Sequence, residues 1–307
     1  MKYPNKLNPG DTVGIICPSS PISEERLAQC AAVMEKLGYH VIASDNNTTN
    51  IGGYLADSGE ARARELHKMF ENPEIRAIFC IRGGDGGNRV MEYLDAELIR
   101  RNPKIFVGYS DITNFHAFLT QKCGMVTFHG PMVSSNIVDD FDPETSASLF
   151  QAINADLDYD FSNPAGYDIK VLQPGKARGM LIGGNLAVMM AGIGTPYEID
   201  VKDRILFIEE VHESMAHIDR MLFHLRNSGK LEAANGIILG QFTNCENEDV
   251  PEYGVLEIMR EALDGIDTPV LYNIQTGHGN PMMTIPFGAE CSFDTETKKI
   301  HFSVERE

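Results

Sequence analysis

The first half of the chain alternates short apolar runs with segments whose apolar residues recur at helical spacing. Ser23 and Ser58 are suited to begin two of the helical segments, because their hydroxyls can accept a hydrogen bond from a first-turn N–H group. The predicted strands are 12–17, 39–43, 77–81, 105–107 and 125–128. A repeated order of strand and helix favours a parallel sheet with helices on both of its faces.

The pattern changes in the second half of the chain. Polar and turn residues dominate from about residue 138, whereas strand and helix patterns resume near Gly179. The last two predicted strands, Met283–Phe287 and Ile300–Val304, lie on either side of a turn-rich segment, which favours antiparallel pairing. We therefore expect an α/β protein with a doubly wound, Rossmann- or flavodoxin-like parallel sheet at 1–140, a connecting region at 141–176, and a mixed α/β domain with antiparallel strands at 177–307.

The composition narrows the range of partners. The chain of 307 residues is 43% hydrophobic and has a formal net charge of −18, from 44 acidic and 26 basic residues. This charge argues against nucleic acid and anionic membrane surfaces, which attract basic proteins. No run of 18 apolar residues is present, and no apolar signal segment precedes the first predicted strand. The six cysteines include no C-x-x-C pair, which is typical of reduced core thiols, so we expect a cytoplasmic protein.

The segment Lys104–Thr113 combines a buried strand, an abrupt turn and the start of a helix. Gly108 permits a tight backbone, and Ser110 lies at the turn itself. Such a turn exposes a hydroxyl at the carboxyl end of a strand and points backbone N–H groups at a bound molecule. Ser110 is thus a candidate nucleophile, with a helix N-cap as the alternative interpretation. The G-x-S-x-G elbow motif is incomplete, because Ile112 replaces its second glycine.

A glycine-rich segment, Arg82–Gly87, follows the third predicted strand, and we call it the glycine loop. Its glycines let backbone N–H groups approach an anion or an oxyanion closely, although a simple turn is the alternative. Its place after the third strand does not fit a dinucleotide-binding fingerprint, which disfavours a nucleotide-dependent oxidoreductase. Because the carboxyl ends of parallel strands meet at one edge of a sheet, we expect the glycine loop, Pro18–Pro21 and the turn at Ser110 to converge.

Candidate partners for the serine occur in the second half of the chain. Glu209 and Glu210 end a predicted strand, and either carboxylate could orient a histidine. His278 lies between two glycines just after another strand, where core packing is not expected, so it is a candidate base. His129 is its main competitor. With the base and the acid in the second half, we expect the active site to lie between two domains.

These segments together resemble the LD-carboxypeptidase family of serine peptidases, a group that also includes microcin C self-immunity hydrolases. The resemblance spans nearly the whole chain, and the block around Ser110 is its most specific part. The matching segments are Gly10–Ile15, Pro18–Ser20, Gly53–Ala56, Ile81–Gly84, Asn102–Thr113, Thr127–Met132, Gly183–Leu186, Ile218–Leu222 and Gly277–Gly279.

The resemblance implies a catalytic triad, with Ser110 as nucleophile, His278 as base and Glu209 as acid. The chain departs from the family pattern at Glu210, where an aspartate usually follows the acid. The usual substrate of the family is a cytoplasmic murein tetrapeptide recycled from the cell wall. Hydrolysis of an L,D peptide bond removes its terminal D-alanine.

The resemblance further implies an oxyanion site made of backbone N–H groups. These belong to Gly84 or Asp85 in the glycine loop and to Asp111 after the nucleophile. It implies no cofactor and no metal, and it leads us to expect a homodimer with a small peptide substrate.

Two other functions remain as alternatives. An immunity-type hydrolase of a peptidyl-nucleotide antibiotic would need an aromatic platform for the nucleobase. The chain has no tryptophan, which disfavours this function but leaves tyrosine and phenylalanine as platforms. A non-catalytic muropeptide-binding module would keep the fold, but it would have no need for Ser110, Glu209 and His278.

Overall fold

The computed structural model describes residues 1–154 and 158–303. The chain forms two compact units, Met1–Asp156 with Thr284–Gly288, and Leu157–Met283 with Ala289–Glu307. Residues 1–154 contain β1 (Thr12–Ile16), α1 (Glu24–Lys36), β2 (His40–Ala43), α2 (Gly59–Glu71), β3 (Ile75–Cys80), α3 (Ala96–Arg101), β4 (Ile105–Gly108), α4 (Thr113–Gln121), β5 (Thr127–His129) and α5 (Pro143–Asn154). Short 3-10 segments lie at Gly87–Arg89, Met91–Tyr93 and Ser110–Ile112, and a π-helical turn lies at Val133–Ile137.

The remaining elements lie within residues 158–303. They are β6 (Asp158–Phe161), β7 (Lys170–Gln173), β8 (Lys176–Asn185), α6 (Leu186–Gly192), β9 (Ile205–Val211), α7 (Met215–Asn227), α8 (Lys230–Ala233), β10 (Gly236–Thr243), α9 (Val255–Ala262), β11 (Val270–Tyr272), β12 (Ile285–Phe287), β13 (Glu290–Asp294) and β14 (Lys299–Ser303). Across both described ranges, no helix has the length and apolar character needed to cross a membrane.

The first unit contains a six-stranded sheet in the order β12-β5-β4-β3-β1-β2. Strands β1 to β5 are parallel, and β12 pairs antiparallel with β5 at one edge. The order 2-1-3-4-5 is that of flavodoxin-like sheets, and the direction of winding reverses between β1 and β3. Ligands of such folds bind at this reversal, beyond the carboxyl ends of the strands. The predicted doubly wound parallel sheet is confirmed.

Two helices of the first unit begin where the sequence predicts. Ser23 Oγ accepts a hydrogen bond from Arg26 N at 3.1 Å, and Ser58 Oγ accepts one from Ala61 N at 3.2 Å. On its buried face α2 carries Arg62, whose side chain is not exposed to solvent at all. Arginine is seldom fully buried without a partner for its charge.

The second unit contains an eight-stranded mixed sheet in the order β6-β14-β13-β8-β9-β10-β11-β7. Strands β8 to β11 are parallel, whereas β13, β14 and β6 continue antiparallel on one side and β7 pairs antiparallel on the other. Helix α7 buries Ile218, Leu222 and Leu225, which recur along one helical face, in the same core as Leu206 and Ile208 of β9. The predicted mixed α/β character is confirmed.

Some elements differ from the sequence-based expectation. The segment 141–176, where we expected a connecting region, contains α5, β6 and β7. β6 and β7 are short edge strands with mostly exposed or half-buried side chains, so they show no apolar run. β13 was not predicted, although it pairs with both β8 and β14. The predicted strand at 300–304 corresponds to β14, and Val304 lies outside the described residues.

Candidate active site

Ser110 occupies a strained turn between β4 and α4. Tyr109 is extended, with φ −153°, whereas Ser110 has φ +65°, in the left-handed region that favours glycine. A Cβ atom on Gly108 would lie 3.0 Å from Cys80 Cβ, so a side chain here would crowd this tight end of β4. A strained strand-to-helix turn is characteristic of nucleophile elbows. The backbone therefore resembles an elbow although the sequence motif is incomplete.

The helix N-cap interpretation of Ser110 does not describe the structure. Tyr109 occupies the N-cap position of the 3-10 segment and Ile112 that of α4, and neither helix start has a side-chain cap. The Ser110 side chain is half-buried. A capping role therefore does not explain why a serine stands at this position.

The glycine loop packs directly against Ser110. A Cβ atom on Gly83 would lie 2.9 Å from Ser110 Cβ and 3.0 Å from its Oγ. Gly84 has φ +104°, and a Cβ atom there would lie 2.1 Å from Ser20 Oγ. The Asp85 N–H group donates a hydrogen bond to the same Ser20 hydroxyl at 3.0 Å. The loop thus brings backbone without side chains beside Ser110. A side chain at Gly83 or Gly84 would push the loop away from its neighbours.

The Asp111 side chain is buried and faces away from solvent. Its Oδ2 atom accepts hydrogen bonds from Ser19 Oγ at 2.5 Å and from Gly87 N at 2.7 Å. Its Oδ1 atom accepts one from Asn114 Nδ2 at 3.0 Å. Burial raises the pKa of Asp111 to about 6, although the bonds from Ser19 and Gly87 act in the opposite direction. The expected convergence of the loops after β1, β3 and β4 is therefore observed in the first unit.

His278 and Glu209 form a hydrogen-bonded pair in the second unit. His278 Nδ1 lies 2.6 Å from Glu209 Oε2, at the end of β9. The Glu209 side chain is fully buried, whereas 14% of the His278 side chain is exposed. Because the carboxylate accepts, the Nδ1 atom carries the proton, and in the neutral ring Nε2 carries the lone pair that can act as a base.

Glu210 points to a different part of the second unit. Its Oε1 atom accepts hydrogen bonds from Asn185 Nδ2 at 2.7 Å and Val211 N at 2.8 Å. Its Oε2 atom accepts one from Ala187 N at 2.8 Å, in the first turn of α6. Adjacent strand residues point to opposite faces of a sheet, so the two glutamates have separate partners. The structure therefore pairs His278 with Glu209.

Gln241 supports the loop that carries His278, and it was not predicted from the sequence. Its Oε1 atom accepts a hydrogen bond from Gly279 N at 2.8 Å, and its backbone N–H donates to Thr276 O at 2.9 Å. Its Nε2 atom donates to Gln275 Oε1 at 3.1 Å. Only its position at the end of β10, next to β9, could have indicated it.

The competing histidine, His129, lies in the core of the first unit. It is fully buried in β5, with its ring centroid 5.4 Å from that of Phe287 and 6.0 Å from that of Tyr109. The neighbouring His116 is also buried, with Nε2 2.8 Å from Gly108 O, and burial lowers its pKa to about 4. The environment of His129 is that of a packing residue and differs from the loop position of His278.

The described residues contain no group of three or more His, Cys, Asp or Glu side chains arranged to hold a metal ion. All six cysteines are buried and in the thiol form. The first unit presents a serine beside backbone N–H groups, and the second unit presents a histidine paired with a carboxylate; these are group types used for acyl transfer.

Comparisons with known proteins identify the family. Residues 13–130 match the model of the LD-carboxypeptidase N-terminal domain, and residues 178–293 match that of the LD-carboxypeptidase C-terminal domain. A probable murein peptide carboxypeptidase of Bacillus subtilis (strain 168) is 39% identical over 297 residues, which cover 96% of this chain and 92% of that protein.

Two solved structures share the fold over nearly the whole chain. The muramoyltetrapeptide carboxypeptidase from Oxalobacter formigenes is 26% identical, with a TM-score of 0.82 and coverage of 95% of this chain and 97% of that one. MccF in complex with glutamyl sulfamoyl guanosine is 25% identical, with a TM-score of 0.90 and coverage of 98% of each chain. The chain therefore belongs to the LD-carboxypeptidase family of serine peptidases, as its motifs predicted.

Proposed function

We propose that this protein removes the terminal D-alanine from a murein tetrapeptide by hydrolysing an L,D peptide bond. The nucleophile is Ser110, the base is His278, and Glu209 orients and stabilises the imidazole. The single observation that carries this proposal is the 2.6 Å hydrogen bond between His278 Nδ1 and the fully buried Glu209. The elbow-like backbone at Ser110 and the substrates named for two relatives add support.

The reaction follows from these roles. His278 Nε2 accepts the hydroxyl proton as Ser110 Oγ bonds to the scissile carbonyl carbon. Collapse of the tetrahedral intermediate breaks the C–N bond, and the D-alanine nitrogen takes the proton from the imidazolium. Water then attacks the acyl-serine ester by the same route and releases the shortened peptide. Glu209 accepts the hydrogen bond from Nδ1 in both steps and stabilises the positive charge that forms on His278.

The oxyanion is bound by backbone N–H groups of the first unit. Of the two positions in the glycine loop, we assign Gly84 as a donor, because the Asp85 N–H group already donates to Ser20 Oγ. The second donor is the N–H group of Asp111, the residue after the nucleophile. Loss of one such donor typically costs about 2.7–4 kcal/mol of transition-state stabilisation.

The proposal is tested with defined peptides. The protein is incubated with murein tetrapeptide, with the same peptide ending in L-alanine, and with its C-terminal amide, and free alanine is measured by mass spectrometry. We expect D-alanine from the first peptide only, in the presence or absence of a metal chelator. Failure to release D-alanine would contradict the proposed activity, and loss of activity with the chelator would contradict the metal-free mechanism.

An immunity-type hydrolase is the second candidate, because the fold matches MccF with a TM-score of 0.90. Its distinguishing substrate is an aminoacyl sulfamoyl nucleoside. Release of glutamate from glutamyl sulfamoyl guanosine at a higher kcat/KM than D-alanine release would favour this candidate. The absence of tryptophan from the chain favours the murein peptide.

We also propose that the protein acts in the cytoplasm as a homodimer. The six unpaired thiols are consistent with a reducing compartment, and the homodimer rests on the resemblance to the family. Cell fractionation and sedimentation equilibrium test the two statements separately. A periplasmic or membrane fraction would contradict the first, and a mass equal to one chain would contradict the second.

A further inference from the structure

We propose that the Asp111 carboxylate, backed by the buried Arg62 guanidinium, is a positioning device that holds the glycine loop against Ser110. This inference rests on the proposed function only in that Ser110 is the nucleophile. It assigns the side chain of Asp111 a role separate from that of its backbone N–H group. Asp111 is a positioning residue because its carboxylate contacts the loops and not the reacting atoms.

The first observation is that the two oxygens of Asp111 accept three hydrogen bonds from side chains and loops. The Oδ2 atom binds Ser19 Oγ in the loop after β1 and Gly87 N at the end of the glycine loop. The Oδ1 atom binds Asn114 Nδ2 in α4. One buried carboxylate thus joins the loop after β1, the glycine loop and helix α4 at one edge of the sheet.

The second observation concerns the other end of the glycine loop. Ser20 N donates to Gly83 O at 3.2 Å, and Ser20 Oγ accepts from Asp85 N at 3.0 Å. Ser20 follows Ser19 directly, so the same segment holds the beginning of the glycine loop while Asp111 holds its end. Gly84, the proposed oxyanion donor, lies between Gly83 and Asp85, the two loop residues that bond to Ser20.

The third observation is the charge beneath the loops. Arg62 Nη1 donates to Pro18 O at 2.8 Å and to Ser19 O at 3.4 Å. Its Nε and Nη2 atoms have no hydrogen-bond partner among residues 1–154 and 158–303. Burial lowers the pKa of Arg62, and the Asp111 charge raises it again. The Asp111 charge thus offsets part of the cost of burying Arg62, and Arg62 in turn holds the loop after β1 through Pro18 O and Ser19 O.

These contacts have a mechanical consequence. Since Gly83 touches Ser110 and Gly87 touches Asp111, a shift of the glycine loop changes the distance between its N–H groups and the oxyanion. A displacement of about 1 Å at such a site can lower a rate by about 10²-fold. Loss of the Asp111 carboxylate is therefore expected to lower kcat and to leave KM nearly unchanged.

The test compares two matched substitutions. Both carboxylate oxygens of Asp111 accept hydrogen bonds. Asp111→Asn replaces one of these oxygens with an NH₂ group, which then faces an N–H or O–H donor. Asp95→Asn is the control, since Asp95 Oδ1 also accepts two bonds, from Glu97 N and Leu98 N, but at the start of α3. Ser19→Ala is a milder variant that removes one donor and keeps the charge.

Two readouts separate positioning from general stability. The first is the rate at which a fluorophosphonate phosphonylates Ser110, forming an Oγ–P bond with loss of fluoride, which needs no natural substrate. The second is hydrogen exchange of the amides at 83–87. We expect Asp111→Asn to slow labelling by about 10–100-fold and to speed this exchange, with kcat reduced in parallel. We expect Asp95→Asn to leave the labelling rate and the amide exchange unchanged. Ser19→Ala is expected to change both by an intermediate amount.

Equal labelling rates and equal exchange in wild-type protein and Asp111→Asn would overturn the inference. If Asp111→Asn does not fold, unchanged labelling and exchange in Ser19→Ala would overturn it instead. Rapid labelling of Ser110 without D-alanine release would contradict the proposed substrate alone. No labelling of Ser110 in the wild-type protein would overturn both proposals.

Discussion

His278 Nδ1 donates a hydrogen bond to Glu209 Oε2 across 2.6 Å, and the carboxylate that accepts this bond is fully buried. The neighbouring Glu210 instead accepts hydrogen bonds from Asn185, Ala187 and Val211. Two adjacent carboxylates of similar burial thus have different partners. This difference predicts that the same substitution affects catalysis at Glu209 and stability at Glu210.

Glu209→Gln is expected to lower kcat for D-alanine release by roughly 10³–10⁴-fold, because a neutral amide neither fixes the imidazole tautomer nor stabilises its charge. Glu210→Gln is the matched control, since it removes a buried carboxylate that does not contact His278. We expect Glu210→Gln to lower the melting temperature while the folded enzyme keeps its kcat. Steady-state kinetics and thermal melts check both variants, and equal losses of kcat would argue against the assignment of Glu209.

Gly83→Ala is expected to lower kcat by about 10–100-fold, because the new methyl group would displace Ser110 or the glycine loop. The Cβ atom would lie 2.9 Å from Ser110 Cβ. Gly192→Ala is the control, because a Cβ atom at Gly192 meets nothing nearer than 3.8 Å. Steady-state kinetics of both folded variants measure kcat. A Gly83→Ala enzyme with wild-type kcat would show that the contact between Gly83 and Ser110 does not constrain the nucleophile.

Gln241→Ala is expected to lower kcat by roughly 10-fold, since the loop that carries His278 loses its bond from Gly279 N to Gln241 Oε1. Gln241→Glu keeps an acceptor at this place and is expected to recover part of the activity. Gln173→Ala is the control. Gln173 lies on the edge strand β7, and its side chain donates a hydrogen bond to Ile266 O. If Gln241→Ala and Gln173→Ala have the same kcat, Gln241 does not position the histidine.

The raised pKa of Asp111, about 6, predicts a specific pH dependence of stability. An aspartate in the unfolded chain has a pKa of about 3.9, so between these values the folded state holds a proton that the unfolded state has lost. The contribution of Asp111 to the free energy of unfolding is therefore fully present below about pH 4 and is lost as the pH rises through 6. The charged groups that face it are Asp85, which raises its pKa, and Arg62, which lowers it.

Urea denaturation of wild-type protein and Asp111→Asn between pH 4.5 and 7 measures this contribution, because the asparagine does not titrate. Relative to the variant, the free energy of unfolding of the wild-type protein is expected to rise by about 2 kcal/mol between pH 7 and pH 4.5. Labelling of Ser110 should slow over the same range, since protonation removes an acceptor from the loops. A constant difference in unfolding free energy would contradict the raised pKa.

The sequence alone was sufficient to predict the features that depend on local patterns of residues. Alternating apolar runs predicted the parallel sheet, and the motifs around Ser110 and His278 identified the family. Whether Glu209 or Glu210 meets the histidine depends on which face of β9 each residue occupies, and adjacent residues of an apolar strand do not reveal this.

Other features depend on contacts between residues far apart in the chain. The roles of Gln241 and Arg62 arise from bonds to segments about 40 residues away, and no local pattern indicates them. The edge strands β6 and β7 were not predicted. Their side chains are largely accessible to solvent, so their residues show no apolar alternation. Burial and pairing, which require the whole fold, determine these elements.

The central claim is that Ser110 is the nucleophile of an L,D-carboxypeptidase. The most direct measurement is the release of D-alanine from murein tetrapeptide by equal amounts of folded wild-type protein and Ser110→Ala. The account predicts stoichiometric release by the wild-type protein and a rate at least about 10³-fold lower for the variant. Release by Ser110→Ala at the wild-type rate, or no release by the wild-type protein, would contradict it.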